Sequence, residues 1–494
     1  MKFWGNGLGK ILRCAKPADV ALCSRSFGNS CAVCWAASLY HPAILTRTGW
    51  CPSGAGPKGA VARQSLGRTK TLISTFRQEN NKIPVAVFSI ERVLLCAPCG
   101  SVANLTVTNV TPTDELFLRR ALELARSGIA LTSPNPNVGA VIADKAGHSV
   151  GAGTYTYDGI QHAEVLAIEE AGERAGGGTL YINLEPCSHH GRTGPCAEAV
   201  IAAGIRRVVA CMPDPNPMVS GRGFRRLQAA GVEVEVGLFE EEARKLNESF
   251  AKYIRHKTPL VTLKAAMTLD GKIAPPPVES HNPTALGAGG VSGGWITSET
   301  ARAHVQELRH EHDAIVVGVG TIIADDPLLT DRSGHARRRP LLRVILDSRL
   351  RLPHGSRVVK TAKDDVLVLC SFAEAKKKQA LQSLGIRVEQ IPAVLPDGRP
   401  DMPGVARRLG EQEITSALIE GGAMVNWAAL ASGVVDKVFL YYAPKILAGD
   451  GSVPFAAGAG FRTMSDAAYL KSFQLHRFGE DFAVEGYLRD PYGN

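Results

Sequence analysis

The sequence lacks several features that would place it in a broad class of proteins. Among its 494 residues, no apolar run reaches the roughly 18 to 20 residues that a helix needs to cross a bilayer, so we expect no membrane partner. Acidic residues are scarce at the start, because residues 1–100 contain 13 Lys and Arg and three acids, a net charge of +10. The remaining residues carry a net charge of −1, which argues against a nucleic-acid partner.

Cysteine is distributed as unevenly as charge. Seven of the 11 cysteines precede residue 100. A disulfide scaffold is not expected in a chain of this length. Two Cys-x-x-Cys pairs in the first hundred residues, residues 31–34 and 96–99, leave open a second metal site, although no periodic pattern connects them.

Residues 1–110 are predicted to form a leader that precedes the folded chain. They are rich in Ser, Ala, Gly and Arg and poor in acids, a composition typical of an organelle transit peptide. A disordered extension without a targeting role is the alternative interpretation.

After the leader, helical and strand-like patterns alternate. We expect a first helix with Thr113 as its N-cap and Gly128 at its end. The next expected elements are a strand over 138–143, a helix over 162–172, a strand over 178–184 and a helix over 196–204. This alternation predicts an α/β/α sandwich, and the length predicts two or three domains.

A candidate metal site lies between His162 and Cys196. One imidazole and two thiolates, from His162, Cys187 and Cys196, supply the three ligands of a catalytic zinc site with an open position for water. Glu164 is then free to move protons, and zinc nucleobase deaminases have this His-x-Glu and Pro-Cys layout. A structural zinc site with His189 or His190 as the fourth ligand is the alternative.

The residues around this site extend the likeness. Residues 132–139, 162–164, 184–193 and 214–217 resemble the pyrimidine deaminase of riboflavin biosynthesis, which acts on a phosphoribosylated diaminopyrimidinone. The resemblance implies that Asn135, His189 and Arg192 contact substrate, with Arg192 near its phosphate. Tyr155 stands where that family usually has a substrate-contacting histidine.

The second half resembles the reductase that accompanies this deaminase in bifunctional bacterial-type enzymes, which has a dihydrofolate-reductase-like α/β fold. The matching stretches are residues 264–274, 295–297, 314–332, 345–348 and 418–422, together with Arg309. Glycines follow predicted strands at Gly318 and at Gly421, where backbone N–H groups can approach an anion. No Gly-x-Gly-x-x-Gly motif opens a βαβ unit, so a Rossmann domain is not expected.

The resemblance assigns roles to individual residues of the second half. The residues implied to bind NADPH are Ala274, Trp295, Thr321, Asp325, Ser348, Gly421 and Gly422. The residues implied to face substrate are Arg309, Leu329, Arg332 and Glu420. The two arginines suit phosphate, because a guanidinium can bind it through two parallel hydrogen bonds; solvated surface charge is the alternative interpretation.

Two segments of the second half depart from the family or stand outside its pattern. Residues 275–294 form a Pro- and Gly-rich insertion, and Gly293 occupies the place of a substrate-binding serine. We expect a flexible loop at the mouth of the active site. Residues 333–340, which include three consecutive arginines, are expected to be a solvated surface turn.

The predicted organisation is a leader at 1–110, a zinc-dependent deaminase domain at 111–257 and an NADPH-dependent reductase domain at 258–494. The predicted function is riboflavin biosynthesis, with hydrolytic deamination of the pyrimidine followed by reduction of its ribosyl group. We expect a phosphorylated pyrimidine as the substrate, a homodimer or homotetramer, and a plastid location, with mitochondrion or cytoplasm as alternatives. A chain with one active half and one scaffold half, or a nucleic-acid editing enzyme, are the competing hypotheses.

Overall fold

The computed structural model describes residues 111–276, 294–393 and 398–493. The predicted leader, both early cysteine pairs, Gly293 and most of the predicted insertion lie outside these residues. Residues 105–494 form one compact unit. It contains a five-stranded sheet built from its first part and a nine-stranded sheet built from its second part.

The strands of the five-stranded sheet are β1 Gly139–Ala143, β2 Ser149–Thr154, β3 Thr179–Ile182, β4 Arg207–Ala210 and β5 Glu233–Val236. Their order is β2-β1-β3-β4-β5. Strand β1 runs antiparallel to β2 and β3, and β3, β4 and β5 run parallel. The helices are α1 Pro112–Ser127, α2 Ala163–Ala171, α3 Cys196–Ala202, α4 Arg222–Ala229, α5 Glu240–Leu246 and α6 Glu248–His256, with a 3₁₀ turn at Gly172–Ala175.

The start of α1 differs from the sequence prediction. Its N-cap is Thr111, whose hydroxyl accepts a hydrogen bond from the Asp114 backbone N–H. The Asp114 carboxylate accepts in turn from the Thr111 N–H, at 2.8 Å. Thr113 was therefore wrong as the cap, because a capping box needs its acid three residues after the cap and Pro112 suits the first helical position.

Two glycines of β2 allow helix α2 to lie close against the sheet. A Cβ atom on Gly151 would collide with the carbonyl oxygen of Ala167, and one on Gly153 with that of Ala163. Since Ala163 is the first residue of α2, this close approach fixes where the N-terminal end of the helix lies relative to β2. That end carries His162 and Glu164.

The strands of the nine-stranded sheet are β6 Leu260–Thr268, β8 Ala314–Gly318, β9 Leu342–Leu346, β10 Val366–Cys370, β11 Arg387–Gln390, β12 Ser416–Ile419, β13 Lys437–Ala443, β15 Lys471–Phe478 and β16 Asp481–Tyr487. Their order is β11-β10-β9-β8-β12-β6-β13-β16-β15. The first seven strands in this order are parallel, and β16 and β15 add an antiparallel hairpin. Strands β7 Lys272–Ala274 and β14 Val453–Pro454 pair separately.

Six helices of the described residues accompany the nine-stranded sheet. They are α7 Glu299–Glu311, α8 Val319–Asp325, α9 Arg357–Lys360, α10 Ala375–Gln382, α11 Met402–Glu411 and α12 Ala423–Ala431. Helices α8 and α12 begin directly after β8 and near the end of β12, at the carboxyl ends of two neighbouring parallel strands. Ligands of parallel α/β sheets bind at such an edge. Across the described segments, every helix is too short or too polar to cross a membrane.

Residues 333–340, which we call the arginine loop, are not the solvated turn that we expected. The Arg337 side chain is 12% exposed and pairs with Asp331 at 3.1 Å. Its guanidinium also donates to the carbonyl oxygens of Arg309, His310 and His312 at the end of α7. The expectation was wrong because the guanidinium of Arg337 binds carbonyl oxygens and a carboxylate that a sequence pattern does not reveal. The carbonyl oxygens at the C-terminal end of a helix favour such a cation.

Candidate active sites

His162, Cys187 and Cys196 converge at the edge of the five-stranded sheet. His162 is the N-cap of α2, Cys196 is the first residue of α3, and Cys187 follows β3 by five residues. The three potential ligand atoms lie within 4.8 Å of one another. His162 Nδ1 is 3.1 Å from Cys196 Sγ and 3.6 Å from Cys187 Sγ.

This donor set fits a tetrahedral zinc ion. Usual Zn–N and Zn–S bond lengths place a ligating nitrogen and sulfur about 3.6 Å apart, close to the observed separations. The hydrogen bond from Cys196 lowers the pKa of the Cys187 thiol to about 4, whereas donating that bond raises the pKa of Cys196. One thiolate is thus already favoured, and a bound cation would displace the second thiol proton.

Glu164 lies in the first turn of α2 with its side chain buried. Burial, together with the nearby Cys187 thiolate, raises its pKa to about 7. A carboxyl group with such a pKa can both accept and donate a proton near neutral pH. The structure therefore places a proton-transfer group two residues from the histidine of the metal site.

Glu185 fixes the loop that carries Cys187. Its buried carboxylate accepts hydrogen bonds from the backbone N–H groups of Asp214, Gly221 and Gly223, at 2.7 to 3.0 Å. A Cβ atom on Gly223 would collide with the Pro186 carbonyl oxygen. Sequence reasoning missed this role of Glu185, for which its position one residue before Pro186-Cys187 was the available signal.

Two buried asparagines hold the loop that carries Asn135. Asn183 accepts from the Gly139 N–H at 2.9 Å and donates to the Asn137 carbonyl oxygen at 2.9 Å. Asn247 accepts from the Asn137 N–H at 2.7 Å. The peptide bond between Ser133 and Pro134 is cis. Asn183 and Asn247 were also missed, because their partners lie 44 and 110 residues away.

Tyr155 meets two other predicted site residues. Its hydroxyl accepts a hydrogen bond from Asn135 Nδ2 at 2.6 Å. Its ring packs edge-on against the His162 imidazole, with the ring centroids 5.4 Å apart. The tyrosine thus links Asn135 with a ligand of the candidate metal site.

His189 and Arg192 lie exposed in the loop between Cys187 and Cys196. Arg192 donates to the Tyr157 carbonyl oxygen at 2.8 Å, and its guanidinium carbon is 4.3 Å from the centroid of the Tyr157 ring. The exposed guanidinium remains accessible to an anion that enters the site.

A cavity of ≈ 350 Å³ opens at the carboxyl ends of β8 and β12. Of the predicted cofactor residues, Thr321, Ser348 and Gly422 line it, together with Gly318 and Gly320. A Cβ atom on Gly421 would lie 2.6 Å from the Cβ of Val425, so this position has no room for a side chain. Arg351 and Arg399 also line the cavity and were missed by the sequence reasoning.

The other predicted cofactor residues lie outside the cavity lining. Ala274 pairs with Val453, which does line the cavity, so Ala274 lies at its border. Trp295 is 58% exposed, and the Arg302 guanidinium lies 4.6 Å from its ring centroid. Asp325 is exposed at the end of α8. Of the seven predicted cofactor residues, three therefore line the cavity and Ala274 lies at its border.

Arg309 and Glu420 bind each other. Arg309 Nε donates to Glu420 Oε1 at 2.8 Å, and Arg309 Nη2 donates to Glu420 Oε2 at 3.0 Å. Arg309 Nη1 donates to the Thr330 carbonyl oxygen. Its side chain is 11% exposed, so it is not solvated surface charge and its fork already has a carboxylate partner. Lys264, another missed residue, lies 3.5 Å from Glu420.

Burial alone would raise the pKa of Glu420, but Arg309 and Lys264 outweigh it and hold that pKa at about 2. The remaining predicted substrate residues lie on the segment beside this pair. Leu329 is buried with a positive φ of 57°, and Arg332 is exposed. Arg332 therefore presents the accessible guanidinium of the two predicted arginines.

Two known domains match the chain. The zinc-binding region of cytidine and deoxycytidylate deaminases matches residues 111–212. The RibD C-terminal domain matches residues 259–484. These matches cover the candidate metal site and the cavity, respectively.

Riboflavin biosynthesis proteins align with this chain over nearly their whole length. The riboflavin biosynthesis protein RibD of Actinobacillus pleuropneumoniae is 40% identical over 382 residues, which cover 77% of this chain and 97% of the relative. The structure of Acinetobacter baumannii RibD has 35% sequence identity and a TM-score of 0.64, covering 76% of this chain and 98% of that one. A Thermotoga maritima structure described as a diaminohydroxyphosphoribosylaminopyrimidine deaminase/5-amino-6-(5-phosphoribosylamino)uracil reductase has 36% identity and a TM-score of 0.62, covering 76% and 98%.

Proposed function

Because the chain belongs to the RibD family of bifunctional riboflavin biosynthesis deaminase/reductases, we propose that its two candidate sites act in succession on one phosphorylated pyrimidine. The first is the hydrolytic deamination of 2,5-diamino-6-(5-phosphoribosylamino)pyrimidin-4(3H)-one. The second is the NADPH-dependent reduction of the ribosyl group of the product to ribityl. The α/β fold class, the bifunctional enzyme and the zinc and NADPH cofactors predicted from the sequence are confirmed by these family matches.

The observation that carries the deaminase proposal is the buried Glu164 beside the three convergent ligands His162, Cys187 and Cys196. A zinc ion held by these ligands would lower the pKa of a water molecule toward neutrality. Glu164 would take one proton from the attacking water and pass it to the ring nitrogen of the pyrimidine. It would then take the second proton, from the hydroxyl group added to the ring, and pass it to the departing amino group, which leaves as ammonia.

Four further residues contact the deaminase substrate in this proposal. Asn135 and Tyr155, joined by their hydrogen bond, face the pyrimidine, as does His189. Arg192 faces the phosphate, since its guanidinium is exposed. Tyrosine thus supplies a hydrogen-bonding hydroxyl where the family usually has histidine.

In the reductase half, Thr321, Ser348 and Gly422 line the cavity that would hold NADPH. Ala274, Gly421, Trp295 and Asp325 complete the proposed cofactor set. Two glycine-containing strand ends offer backbone N–H groups to the dinucleotide phosphates. NADPH bound there would supply hydride to C1 of the ribosylamine in its ring-opened imine form, and a proton from water would complete the amine. The protein supplies orientation and electrostatics.

In the reductase half, Leu329, Arg332 and Glu420 are the proposed substrate contacts, and Arg309 is proposed to support Glu420. We assign the phosphate to Arg332, which is exposed. Arg309 instead holds Glu420 in place, because its Nε and Nη2 atoms both donate to the Glu420 carboxylate. Glu420 then presents a fixed negative charge to the substrate.

We further propose a plastid location, because the acid-poor residues 1–110 have the composition of a transit peptide. We also propose that the protein forms a homo-oligomer. We propose that it has no nucleic-acid partner, because the net charge of the residues after residue 100 is close to zero. Fusing residues 1–110 to a fluorescent protein tests the location, and light scattering of the purified protein tests the oligomeric state.

Separate assays of the two steps test the enzymatic proposal. Purified protein receives the diaminopyrimidinone phosphate without NADPH, and ammonia is measured; it then receives the deaminated compound with NADPH, and NADPH oxidation is measured. Activity in both assays is expected. Loss of one activity with retention of the other would instead favour a chain in which one half is a scaffold.

A further inference from the structure

One side chain from the reductase half reaches the deaminase site. Arg338 belongs to the arginine loop, and its Nη1 donates to the Ser133 carbonyl oxygen at 2.8 Å. Its backbone N–H donates to the Ala130 carbonyl oxygen at 3.0 Å. Its guanidinium carbon lies 3.6 Å from the centroid of the Tyr157 ring, and its side chain is 23% exposed.

The Tyr157 ring contacts two arginines at once. Arg338 approaches it at 3.6 Å and Arg192 at 4.3 Å, measured from guanidinium carbon to ring centroid. Arg192 is also bonded to the Tyr157 carbonyl oxygen. A cation over an aromatic face is attracted by the ring quadrupole, so the ring provides a defined place for each guanidinium.

The two arginines are held differently. Arg338 has four anchors: the ring, the Ser133 carbonyl, the Ala130 carbonyl and the Asp158 carboxylate at 3.2 Å. The contacts of Arg192 given by the structure are both with Tyr157. Arg338 is thus the better-fixed cation, and the position of Arg192 depends on where Tyr157 is held.

The loop that carries Asn135 is also bonded to the reductase half, through Ser133. Ser133 Oγ donates to Asp313 at 2.7 Å, and Arg339 donates to Ser133 Oγ at 2.9 Å. Ser133 precedes Asn135 by two residues. The loop with Asn135 is therefore bonded directly to side chains of the reductase half. Arg192 is connected to that half indirectly, because Tyr157 contacts both Arg192 and Arg338.

We propose that Arg338 is a positioning residue for deamination, which acts through Tyr157 to hold Arg192 where the substrate phosphate binds. This inference rests on the proposed function, in which Arg192 faces that phosphate. It assigns to the reductase half a part in substrate binding by the deaminase half. Arg338 itself need not touch the substrate.

The test compares Arg338→Ala, Arg192→Ala and the double variant in the full chain, by ammonia release from the diaminopyrimidinone phosphate. Arg192→Ala removes the guanidinium that faces the phosphate, and Arg338→Ala removes the cation that fixes Tyr157. Each single variant is therefore expected to raise the deaminase KM about tenfold, with kcat nearly unchanged. Because Arg338 acts through Arg192, the KM of the double variant should equal that of Arg192→Ala. Additive KM effects would overturn the inference.

Two further variants separate positioning from loss of structure. Tyr157→Leu leaves the bond from Arg338 to Ser133 in place but removes the ring, and it should raise KM as Arg338→Ala does. Lys245→Ala removes another contact between the halves, the ion pair with Glu485 at 2.8 Å, which involves neither Ser133 nor Tyr157, and its KM should stay near that of the wild type. Equal KM increases in Lys245→Ala and Arg338→Ala would overturn the inference in favour of general docking of the halves.

The outcomes distinguish the inference from the function on which it rests. Ammonia release by the wild type, with the same KM in Arg338→Ala, overturns the inference and leaves the proposed function intact. No ammonia release by zinc-loaded wild-type protein overturns the proposed function and the inference with it. Reductase turnover, measured in each preparation, should be the same in all variants, and a parallel loss in Arg338→Ala would contradict a role confined to deamination.

Discussion

The Tyr155 hydroxyl accepts a hydrogen bond of 2.6 Å from the Asn135 side-chain amide. Asn135 lies on the loop before β1, and Tyr155 follows β2 directly. The hydrogen bond fixes the orientation of the Asn135 amide, and both residues are predicted substrate contacts. Tyrosine at this position is therefore compatible with an ordered deaminase site.

Tyr155→Phe is expected to weaken substrate binding by the deaminase. Removing the hydroxyl leaves the Asn135 amide without its partner, which costs about 1 kcal/mol, or roughly fivefold in KM. The zinc content and the reductase activity should not change. Tyr155→His, whose ring nitrogen can also accept the hydrogen bond from Asn135, should keep a KM near that of the wild type. An unchanged KM in Tyr155→Phe would contradict a role for this hydroxyl.

Glu164→Gln is expected to abolish most ammonia release. The amide has nearly the same shape but cannot accept and donate the required protons, so kcat should fall at least 100-fold. Bound zinc, measured by atomic emission, should stay at one ion per chain, because Glu164 is not among the three ligands. Glu198→Gln, on the exposed face of α3, is the matched control and should retain full activity.

Gly422→Asp is expected to impair NADPH binding without disturbing the fold. Gly422 is the N-cap of α12, where Asp and Asn are both favourable, and a Cβ there meets its nearest atom, Thr321 Oγ1, at 3.8 Å. The aspartate charge would repel the cofactor phosphates. The dissociation constant of NADPH should rise at least about tenfold more in Gly422→Asp than in the neutral Gly422→Asn, as measured by fluorescence titration.

Equal NADPH affinities in these two variants would mean that the cofactor phosphates lie elsewhere. Gly421→Ala, in contrast, is expected to lower the stability of the fold. A Cβ there approaches Val425 to 2.6 Å, so we expect a loss of about 1 to 3 kcal/mol of stability by urea unfolding.

Glu420→Gln is expected to destabilise the protein in a pH-dependent manner. It leaves Arg309 and Lys264 without their buried counter-charge, at a cost of about 3 kcal/mol near pH 7. The pKa of Glu420 is lowered to about 2, so its contribution is present above its unfolded-state pKa and is lost as the pH falls toward 2. The difference in unfolding free energy between wild type and variant should therefore shrink between pH 5 and pH 3.

A difference that stays constant across this range would contradict the ion-pair role of Glu420. Glu198→Gln again serves as the control, because the Glu198–Arg226 pair is exposed and its loss should leave the unfolding curve unchanged.

Much of the deaminase half could be predicted from the sequence because its signals are local. His162, Glu164, Cys187 and Cys196 stand at the ends of elements whose periodic patterns are visible in short windows, and the structure brings the three ligands together. The reductase cavity was predicted through its glycines, which follow strands directly. In both cases the strand ends determine which residues can meet.

The arginines could not be interpreted in the same way. Arg309 appeared to be a phosphate ligand, but it is engaged by Glu420, which lies 111 residues away. Arg338 appeared to be surface charge, but its partner Ser133 lies 205 residues away. A guanidinium has no local periodicity that reveals its partner, so only the tertiary structure distinguishes a buried ion pair from a solvated side chain.

The measurement that tests the account most directly is the stoichiometry of the two reactions in one sample. The purified, zinc-loaded chain is given the diaminopyrimidinone phosphate and an excess of NADPH, and ammonia and oxidised NADPH are followed together. We predict that ammonia release comes first and that NADPH oxidation then reaches an equal amount. Ammonia release without NADPH oxidation, or the absence of both, would contradict a chain whose two halves act in succession.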